Sequence, residues 1–168
     1  METALEVVVG QLLRERGMKL AAAESCTGGL IGHLLTDVPG ASDYYLGSIT
    51  AYAFEAKRRL LGVRPETLRE FGAVSRETAL EMARGVRQTL LDETPLDVVI
   101  GLSVTGIAGP GGGTAEKPVG LTWIGLSTPD GDWAWQYTWP FDRAGNKAAS
   151  AQQALQLVAD YLNGMLNH

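Results

Sequence analysis

Ser25 and the small residues around it form the segment of this chain best suited to covalent chemistry. The segment Ala23–Gly29 reads AESCTGG and follows an apolar run that begins at Leu20. An amphipathic run over 30–35 comes directly after it. A strand that delivers a serine into a tight turn at a helix start places a nucleophile beside free backbone N–H groups. Such groups stabilise a developing oxyanion or bind a phosphate.

The base for this serine has to be found among few residues. The chain has two histidines: His168 is the last residue, and His33 lies eight positions after Ser25 in a predicted helix. Eight helical residues span about 12 Å, which is too long for a hydrogen bond. Lys57 follows a predicted strand among apolar neighbours, and burial there would lower the pKa of its ammonium. A lysine on an amphipathic helix is more often a solvated surface residue, so both interpretations stay open.

Cys26 is the alternative nucleophile, because a thiolate at a helix N-terminus is reactive. It has no adjacent histidine, and a lone cysteine is commonly a small buried hydrophobe. No pair of His or Cys residues in the sequence has the spacing of metal ligands. The sequence therefore predicts no metal and no other cofactor.

A second glycine-rich segment, Gly106–Gly113, also follows an apolar strand-like run, which suggests that two loops share one polar pocket. It is not a P-loop, because no Gly-Lys-Ser/Thr follows, but its glycines allow the backbone to approach a ligand. An ordinary flexible connection explains a glycine run equally well. Thr105 can donate a hydrogen bond to a substrate from the strand end. Lys117 and Arg143 can supply charge to a phosphate, unless they are solvated surface residues.

Length and composition limit the class of protein. A chain of 168 residues predicts one domain over 1–168. The net charge of -5 argues against a nucleic-acid binder that uses a broad basic surface. The single cysteine excludes an internal disulfide, and no signal peptide or apolar run of 18 residues is present. We therefore expect a cytoplasmic protein that contacts neither nucleic acid nor membrane.

The pattern of elements predicts an α/β fold, namely a single-domain layered α/β/α sandwich with a mixed sheet. The first predicted helix covers Thr3–Arg16, with Gly17 as its stop, and the second ends at Leu35. A third begins at Ala53 or Phe54 and ends at Leu61, a fourth runs to about Leu91 with Ser75 as its N-cap, and the last covers about Arg143–Leu166. Predicted strands cover Lys19–Ala23, Leu46–Ala51, Asp97–Val104 and Leu121–Ser127, followed by one with alternating aromatic residues: Trp133, Trp135, Tyr137 and Trp139. This aromatic face indicates core or a subunit interface, and we expect a homodimer or a larger homo-oligomer.

Several blocks resemble the CinA C-terminal domain family of competence/damage-inducible proteins, whose stand-alone form is nicotinamide-nucleotide amidohydrolase. The resemblance runs from about Leu12 to Leu166. Its most specific blocks are Ala23–Gly29, Glu55–Lys57, Gly72–Ser75, Thr105–Pro110 and Glu116–Gly120. Several rare-residue blocks in the family's order argue against chance agreement.

The resemblance implies deamidation of nicotinamide mononucleotide to nicotinate mononucleotide and ammonia, in pyridine nucleotide salvage. It implies a serine–lysine hydrolase without a metal. By motif, Ser25 is the nucleophile, Lys57 is its base, and Tyr52 assists by hydrogen bonding.

The resemblance also implies which residues bind the substrate. The oxyanion hole would be the backbone of the serine turn: Cys26, Thr27, Gly28 and Gly29. The other substrate contacts would come from Thr105, from Gly106 and Gly109 in the glycine-rich segment, and from Arg143.

Some positions depart from the family's pattern. Ala53 and Phe54 stand where the family often has Ser-Asn, Phe141 replaces the glycine of a Gly-Asp-Arg stretch, and Lys147 occupies a position where arginine is common. These changes spare the serine and the lysine but bear on substrate affinity. Two alternatives therefore remain beside a stand-alone deamidase. One is a non-catalytic nucleotide-binding or regulatory domain, and the other is a serine–lysine hydrolase of another small amide.

Overall fold

A computed structural model of the protein describes residues 2–166 and shows a five-stranded mixed sheet between two layers of helices. The strands are β1 (Lys19–Glu24), β2 (Tyr45–Thr50), β3 (Val99–Gly106), β4 (Leu121–Thr128) and β5 (Gly131–Thr138). The helices are α1 (Leu5–Arg16), α2 (Leu30–Thr36), α3 (Phe54–Leu61), α4 (Pro65–Phe71), α5 (Arg76–Thr89) and α6 (Arg143–Leu162). His168 lies outside the described residues.

The strand order β2-β1-β3-β4-β5 brings the two sequence segments with candidate chemistry to one edge of the sheet. Strand β1 pairs in parallel with both β2 and β3, whereas β3–β4 and β4–β5 are antiparallel. Ser25 follows β1, and the glycine-rich segment follows β3. The crevice beyond the carboxyl ends of parallel strands, where the strand order reverses, is the usual ligand site of an open α/β sheet.

Alternation along β1 divides the core between the two faces of the sheet. Leu20 and Ala22 pack with α1, α2 and α6, whereas Ala21 and Ala23 pack with α3, α4 and α5. All four residues are fully buried, as expected for a central strand covered on both faces. The predicted layered α/β/α sandwich with a mixed sheet is thus confirmed.

Helix α4 was not predicted from the sequence. It has seven residues, which is too few for a clear periodic pattern of apolar residues, and its first residue is Pro65. Its N-terminus is capped from another element, because the Arg64 N–H donates to Glu81 Oε2 of α5 at 2.8 Å. A cap supplied by tertiary contact leaves no local sequence signature.

Several predicted boundaries differ from the structure by a few residues, and two of them have a clear local reason. Strand β3 begins at Val99, because Leu96–Val98 form a 3₁₀ turn in place of the expected first residues of the strand. Helix α6 ends at Leu162, four residues before the predicted end, and Gly164 then adopts φ +71°. Left-handed glycines commonly end helices in this way.

The aromatic side chains of β5 serve the core of this chain. Trp133, Trp135 and Tyr137 are half-buried and pack against the core cluster beneath α1 and α6. The interpretation of this face as core is confirmed, while the homo-oligomer stays a prediction. Among residues 2–166, no helix is long and apolar enough to cross a membrane.

Candidate active site

Ser25 and Lys57 meet at the carboxyl edge of the sheet although 32 residues separate them in the chain. The Ser25 N–H donates to the Val104 carbonyl of β3 at 3.0 Å, which fixes the serine at the end of β1. Lys57 lies in the first turn and a half of α3, and its Nζ is 2.9 Å from Ser25 Oγ. Both side chains are buried, with 7 % of Ser25 and 1 % of Lys57 exposed.

Two backbone carbonyls hold the Lys57 amine against the serine. Nζ donates to the Ala51 carbonyl at 2.9 Å and to the Tyr52 carbonyl at 2.8 Å. An ammonium has three N–H bonds, and the two carbonyls and Ser25 Oγ match them. When the amine is neutral, two N–H bonds stay on the carbonyls and the lone pair faces the Ser25 hydroxyl. The arrangement therefore suits an amine that accepts the serine proton.

Burial lowers the pKa of Lys57 from 10.5 to about 8, because the charged form loses its hydration. At pH 7 this change raises the neutral fraction of the amine from about one in 3,000 to about one in ten. In the part of the chain that the structure describes, no group of acidic, histidine and cysteine side chains could hold a metal ion.

Some backbone N–H groups of the serine turn are not used in hydrogen bonds to other described residues. The Ser25 and Gly28 N–H groups are already used, since they donate to the Val104 and Ser25 carbonyls. The N–H groups of Cys26, Thr27 and Gly29 donate to no other described residue. The turn depends on glycine at its end, where Gly28 has φ +60° and Gly29 has φ +102°. Of the four residues predicted to form an oxyanion hole, Cys26, Thr27 and Gly29 therefore have an N–H group with no partner in another described residue.

A cavity of about 870 Å³ lies beside the start of α2, where it is lined by Leu30, the residue that follows the serine turn. Its walls are largely apolar and come from Leu30, Ala108, Pro110, Val119 and Phe141. A cavity of this size accommodates a ligand with the dimensions of a nucleotide.

Two cations of α6 face this cavity. Arg143 Nη1 donates to the Gly109 carbonyl at 2.7 Å, and Nη2 donates to Tyr52 Oη at 3.3 Å. The Lys147 ammonium makes no hydrogen bond or ion pair to any residue in 2–166. Its Nζ lies 3.7 Å from the point where a Cβ on Gly28 would be. An unpaired cation beside a pocket suits an anionic group of a ligand.

Helix α6 also shapes the glycine-rich segment. Asn146 is 2 % exposed; its Nδ2 donates to the Ala108 carbonyl at 3.0 Å and its Oδ1 accepts from the Phe141 N–H at 3.1 Å. One amide thus joins two walls of the cavity. Gly109, at φ +86°, leaves no room for a Cβ, which would lie 2.4 Å from Val119 Cγ1. The segment is fastened to the site and is not a free connection.

Two predicted site residues act differently from the expectation. The Thr105 hydroxyl donates to the Ala73 carbonyl at 2.7 Å and is buried, so its proton is not available to a substrate. Tyr52 contacts Lys57 through its carbonyl, whereas its phenol is exposed and pairs with Arg143. The structure thus shows a contact of the Tyr52 backbone with Lys57, while assistance by Tyr52 in the reaction stays a prediction. Gly106 ends β3, and a Cβ there would lie 3.1 Å from Cys26 Sγ.

The structure also gives the surroundings of three other residues that the sequence analysis considered. Burial raises the pKa of Cys26 to about 12, so its thiol stays protonated at neutral pH. The Lys117 ammonium donates to the Phe71 carbonyl and fastens the glycine-rich segment to α4. His33 lies on the exposed face of α2, with Nε2 3.5 Å from Asp37 Oδ2.

Sequence reasoning missed three features of this site. The two carbonyls that orient Lys57 belong to the backbone, so the types of the residues that carry them give no signal in the sequence. Lys147 was noted only as a departure from a family pattern, and Asn146 was not singled out. The helical spacing of Arg143, Asn146 and Lys147 places all three on one face of α6, and this spacing was the available signal.

Comparison with known proteins gives a consistent picture. The family described as the CinA C-terminal domain matches residues 2–162. A CinA-like protein of Desulfotalea psychrophila is 50 % identical over 155 residues, which cover 92 % of this chain and 36 % of the relative. The chain spans 36–38 % of the length of the first curated relatives that it matches.

Two solved structures share the fold over nearly their full length. The competence/damage inducible protein CihA from Agrobacterium tumefaciens has a TM-score of 0.80 and 35 % identity, covering 97 % of this chain and 99 % of that one. The competence damage-inducible protein A from Klebsiella pneumoniae has a TM-score of 0.87 and 30 % identity, covering 96 % and 97 %.

Proposed function

The chain belongs to the CinA C-terminal domain family, and from this premise we propose that it is an amidohydrolase. The proposed reaction converts nicotinamide mononucleotide and water into nicotinate mononucleotide and ammonia. The observation that carries the proposal is the buried contact of 2.9 Å between Lys57 Nζ and Ser25 Oγ. A serine hydroxyl beside a buried lysine amine is an activated nucleophile that needs no histidine, because the amine acts as its base.

Acylation begins with the neutral Lys57 amine, which removes the hydroxyl proton as Ser25 Oγ attacks the carboxamide carbon. The new C–O bond forms and the carbonyl electron pair moves to oxygen. The N–H groups of Cys26, Thr27 and Gly29 are available to stabilise this oxyanion. When the tetrahedral intermediate collapses, the C–N bond breaks and the Lys57 ammonium returns its proton to the departing ammonia.

Deacylation repeats these steps with water as the nucleophile. The neutral amine takes a proton from a water molecule that attacks the ester carbon of the acylated Ser25. Collapse breaks the C–O bond and returns the proton from the Lys57 ammonium to Ser25 Oγ. The pyridinium charge of the proposed substrate withdraws electrons from the carboxamide and favours both attacks.

The cavity supports a phosphorylated substrate. Its lining combines apolar side chains with two cations, Arg143 and Lys147, and with Asp142, whose carboxylate accepts from the Gly145 N–H. The two cations are the groups suited to recognising a phosphate. Arg143 is already oriented by the Gly109 carbonyl and Tyr52 Oη, so it is held ready for a ligand. In the proposed assignment, Arg143 and Lys147 contact the phosphate or the ribose.

A substrate panel tests the proposal. Purified protein is incubated with nicotinamide mononucleotide, nicotinamide riboside or nicotinamide, and ammonia and the deamidated product are both quantified. We expect kcat/KM at least about a hundredfold higher for the mononucleotide, from charge-assisted contacts to its phosphate. Binding of the mononucleotide without ammonia release would instead support a non-catalytic binding domain. Equal turnover of the compounds without phosphate would support a hydrolase of another small amide.

A further inference from the structure

Glu24 is a buried carboxylate that the proposed mechanism does not use. It is the last residue of β1 and is 0 % exposed. Its Oε1 accepts from the Thr27 hydroxyl at 2.7 Å and from the Ile31 N–H at 2.8 Å, and its Oε2 accepts from the Gly32 N–H at 3.1 Å. A buried carboxylate is costly unless it is hydrogen-bonded, and these three donors compensate for its burial.

These hydrogen bonds connect the residue before the serine turn to the turn itself and to the helix that follows it. Residue 24 precedes the turn, Thr27 lies within it, and Ile31 and Gly32 lie in the first turn of α2 just beyond it. The N-cap residue of α2 is Gly29, which has no side chain to accept from these N–H groups. Glu24 supplies the cap in its place, so glycine can occupy the position with φ +102°.

We propose that Glu24 is a positioning residue that, through Thr27, orients the open N–H groups of Cys26, Thr27 and Gly29 toward the reacting carbonyl. This inference rests on the proposed function for the reaction at Ser25. Within residues 2–166, the Glu24 carboxylate makes no hydrogen bond or ion pair with Ser25 or Lys57. It acts on the rate by fixing the turn that carries the donors, because a displaced donor stabilises an oxyanion poorly.

A second pair of a glutamate and a buried threonine in the protein supplies the control. The Thr67 hydroxyl donates to Glu81 Oε1 at 2.6 Å, and the Glu81 carboxylate also accepts from the Arg64 N–H at the start of α4. Thr67 is 2 % exposed, compared with 1 % for Thr27. Both glutamates therefore cap a seven-residue helix with the help of a buried threonine, but only one lies beside the nucleophile.

The test compares Thr27→Val, Thr27→Ser and Thr67→Val. Valine keeps the shape of threonine and removes its hydroxyl, whereas serine keeps the hydroxyl. We expect Thr27→Val to lower kcat about tenfold to a hundredfold with KM within about threefold, since complete loss of one oxyanion donor costs about a hundredfold to a thousandfold. Thr27→Ser should recover most of this loss. Thr67→Val should lose melting temperature like Thr27→Val and keep the wild-type kcat.

A second readout separates this inference from the identity of the substrate. A fluorophosphonate probe forms a bond between Ser25 Oγ and phosphorus and expels fluoride, through a transition state with the same need for N–H donors. The labelling rate should fall in Thr27→Val, recover in Thr27→Ser and stay unchanged in Thr67→Val, even if the natural amide is another compound. Labelling of the wild type without release of ammonia from nicotinamide mononucleotide would overturn the proposed function only.

Three results would overturn the positioning role. The first is a labelling rate of Thr27→Val equal to that of Thr67→Val. The second is a Thr27→Ser protein as impaired as Thr27→Val, because the hydroxyl would then be irrelevant. The third is a wild-type protein that is not labelled at Ser25, which would overturn the proposed function as well. If Thr27→Val does not fold, Glu24→Gln replaces it, since the amide keeps one acceptor oxygen and should slow labelling at least about tenfold.

Discussion

Lys57 and Lys147 approach the two ends of the same serine turn, yet their surroundings differ. Lys57 is buried, donates to two backbone carbonyls, and contacts Ser25 Oγ. Lys147 is half-buried, faces the cavity, and makes no hydrogen bond or ion pair within residues 2–166. Burial lowers the pKa of the first amine, whereas the second has room for an anion.

The difference shows how one residue type serves two chemical purposes. A lysine acts as a base when burial makes its neutral form accessible and oriented acceptors aim its lone pair. It acts as an anion partner when it stays charged and has no other partner. The four predictions below change one lysine or the pH at a time, from the largest expected effect to the smallest.

Replacement of Lys57 should produce the largest effect. Lys57→Met keeps an apolar stem of similar length and removes the base, so we expect kcat to fall by about 10³-fold, within the range of general-base contributions. Lys57→Arg should be equally impaired, because a guanidinium keeps the charge but cannot accept a proton at neutral pH. Ammonia release measures both variants, with melting temperature as the control for folding. Activity of Lys57→Arg within tenfold of the wild type would contradict the role of the base.

Replacement of Lys147 should act on affinity. We expect Lys147→Met to raise KM for nicotinamide mononucleotide about tenfold to a hundredfold, with kcat within about threefold, because a charge-assisted contact is lost. Lys147→Arg should stay within about threefold of the wild-type KM. The opposite outcomes of the two arginine variants sharpen the comparison between the lysines. A kcat defect in Lys147→Met with unchanged KM would contradict it.

The pH dependence should report Lys57 and not Lys147. The pKa of Lys57 is lowered to about 8, and its neutral form is the active one, so kcat/KM should rise with pH and level off above pH 8. Below that value, it should fall about tenfold for each pH unit. Lys147→Met should keep the same inflection. An inflection near the ordinary lysine value of 10.5 would show that the base is not desolvated.

Replacement of Lys117 should have the smallest effect. Its ammonium donates to the Phe71 carbonyl and is partly exposed, so it fastens the glycine-rich segment without facing the cavity. We expect Lys117→Met to change kcat and KM by less than about threefold, in line with an exposed hydrogen bond. Steady-state kinetics measures this change. A loss of tenfold or more would mean that Lys117 reaches the substrate, as the sequence allowed.

The sequence was sufficient where the signal is local. The apolar run before Ser25, the glycine that ends α1 at Gly17 and the serine that caps α5 at Ser75 each follow from residue type and spacing, and the structure confirms them. Helix α4 was not predicted because its N-terminal cap comes from Glu81, which is distant in the sequence. The first residues assigned to β3 were wrong because an apolar run does not distinguish a 3₁₀ turn from a strand.

The sequence indicated which residues could belong to the candidate site, but it did not indicate the hydrogen-bond partners of their side chains. Nothing in the sequence shows that the Thr105 hydroxyl donates to the Ala73 carbonyl and the Lys117 ammonium to the Phe71 carbonyl, while Lys147 has no hydrogen bond or ion pair within residues 2–166. These assignments depend on backbone atoms brought together by tertiary packing. One signal was available for Glu24, since the alternation of β1 places it on the same buried face as Leu20 and Ala22.

The most direct test of the central claim measures the products formed by the wild type and by Ser25→Ala from nicotinamide mononucleotide. The proposed mechanism predicts equal amounts of ammonia and nicotinate mononucleotide from the wild type. It predicts none above background from Ser25→Ala, with an unchanged melting temperature. Equal product formation by the two proteins would contradict the assignment of Ser25 as the nucleophile.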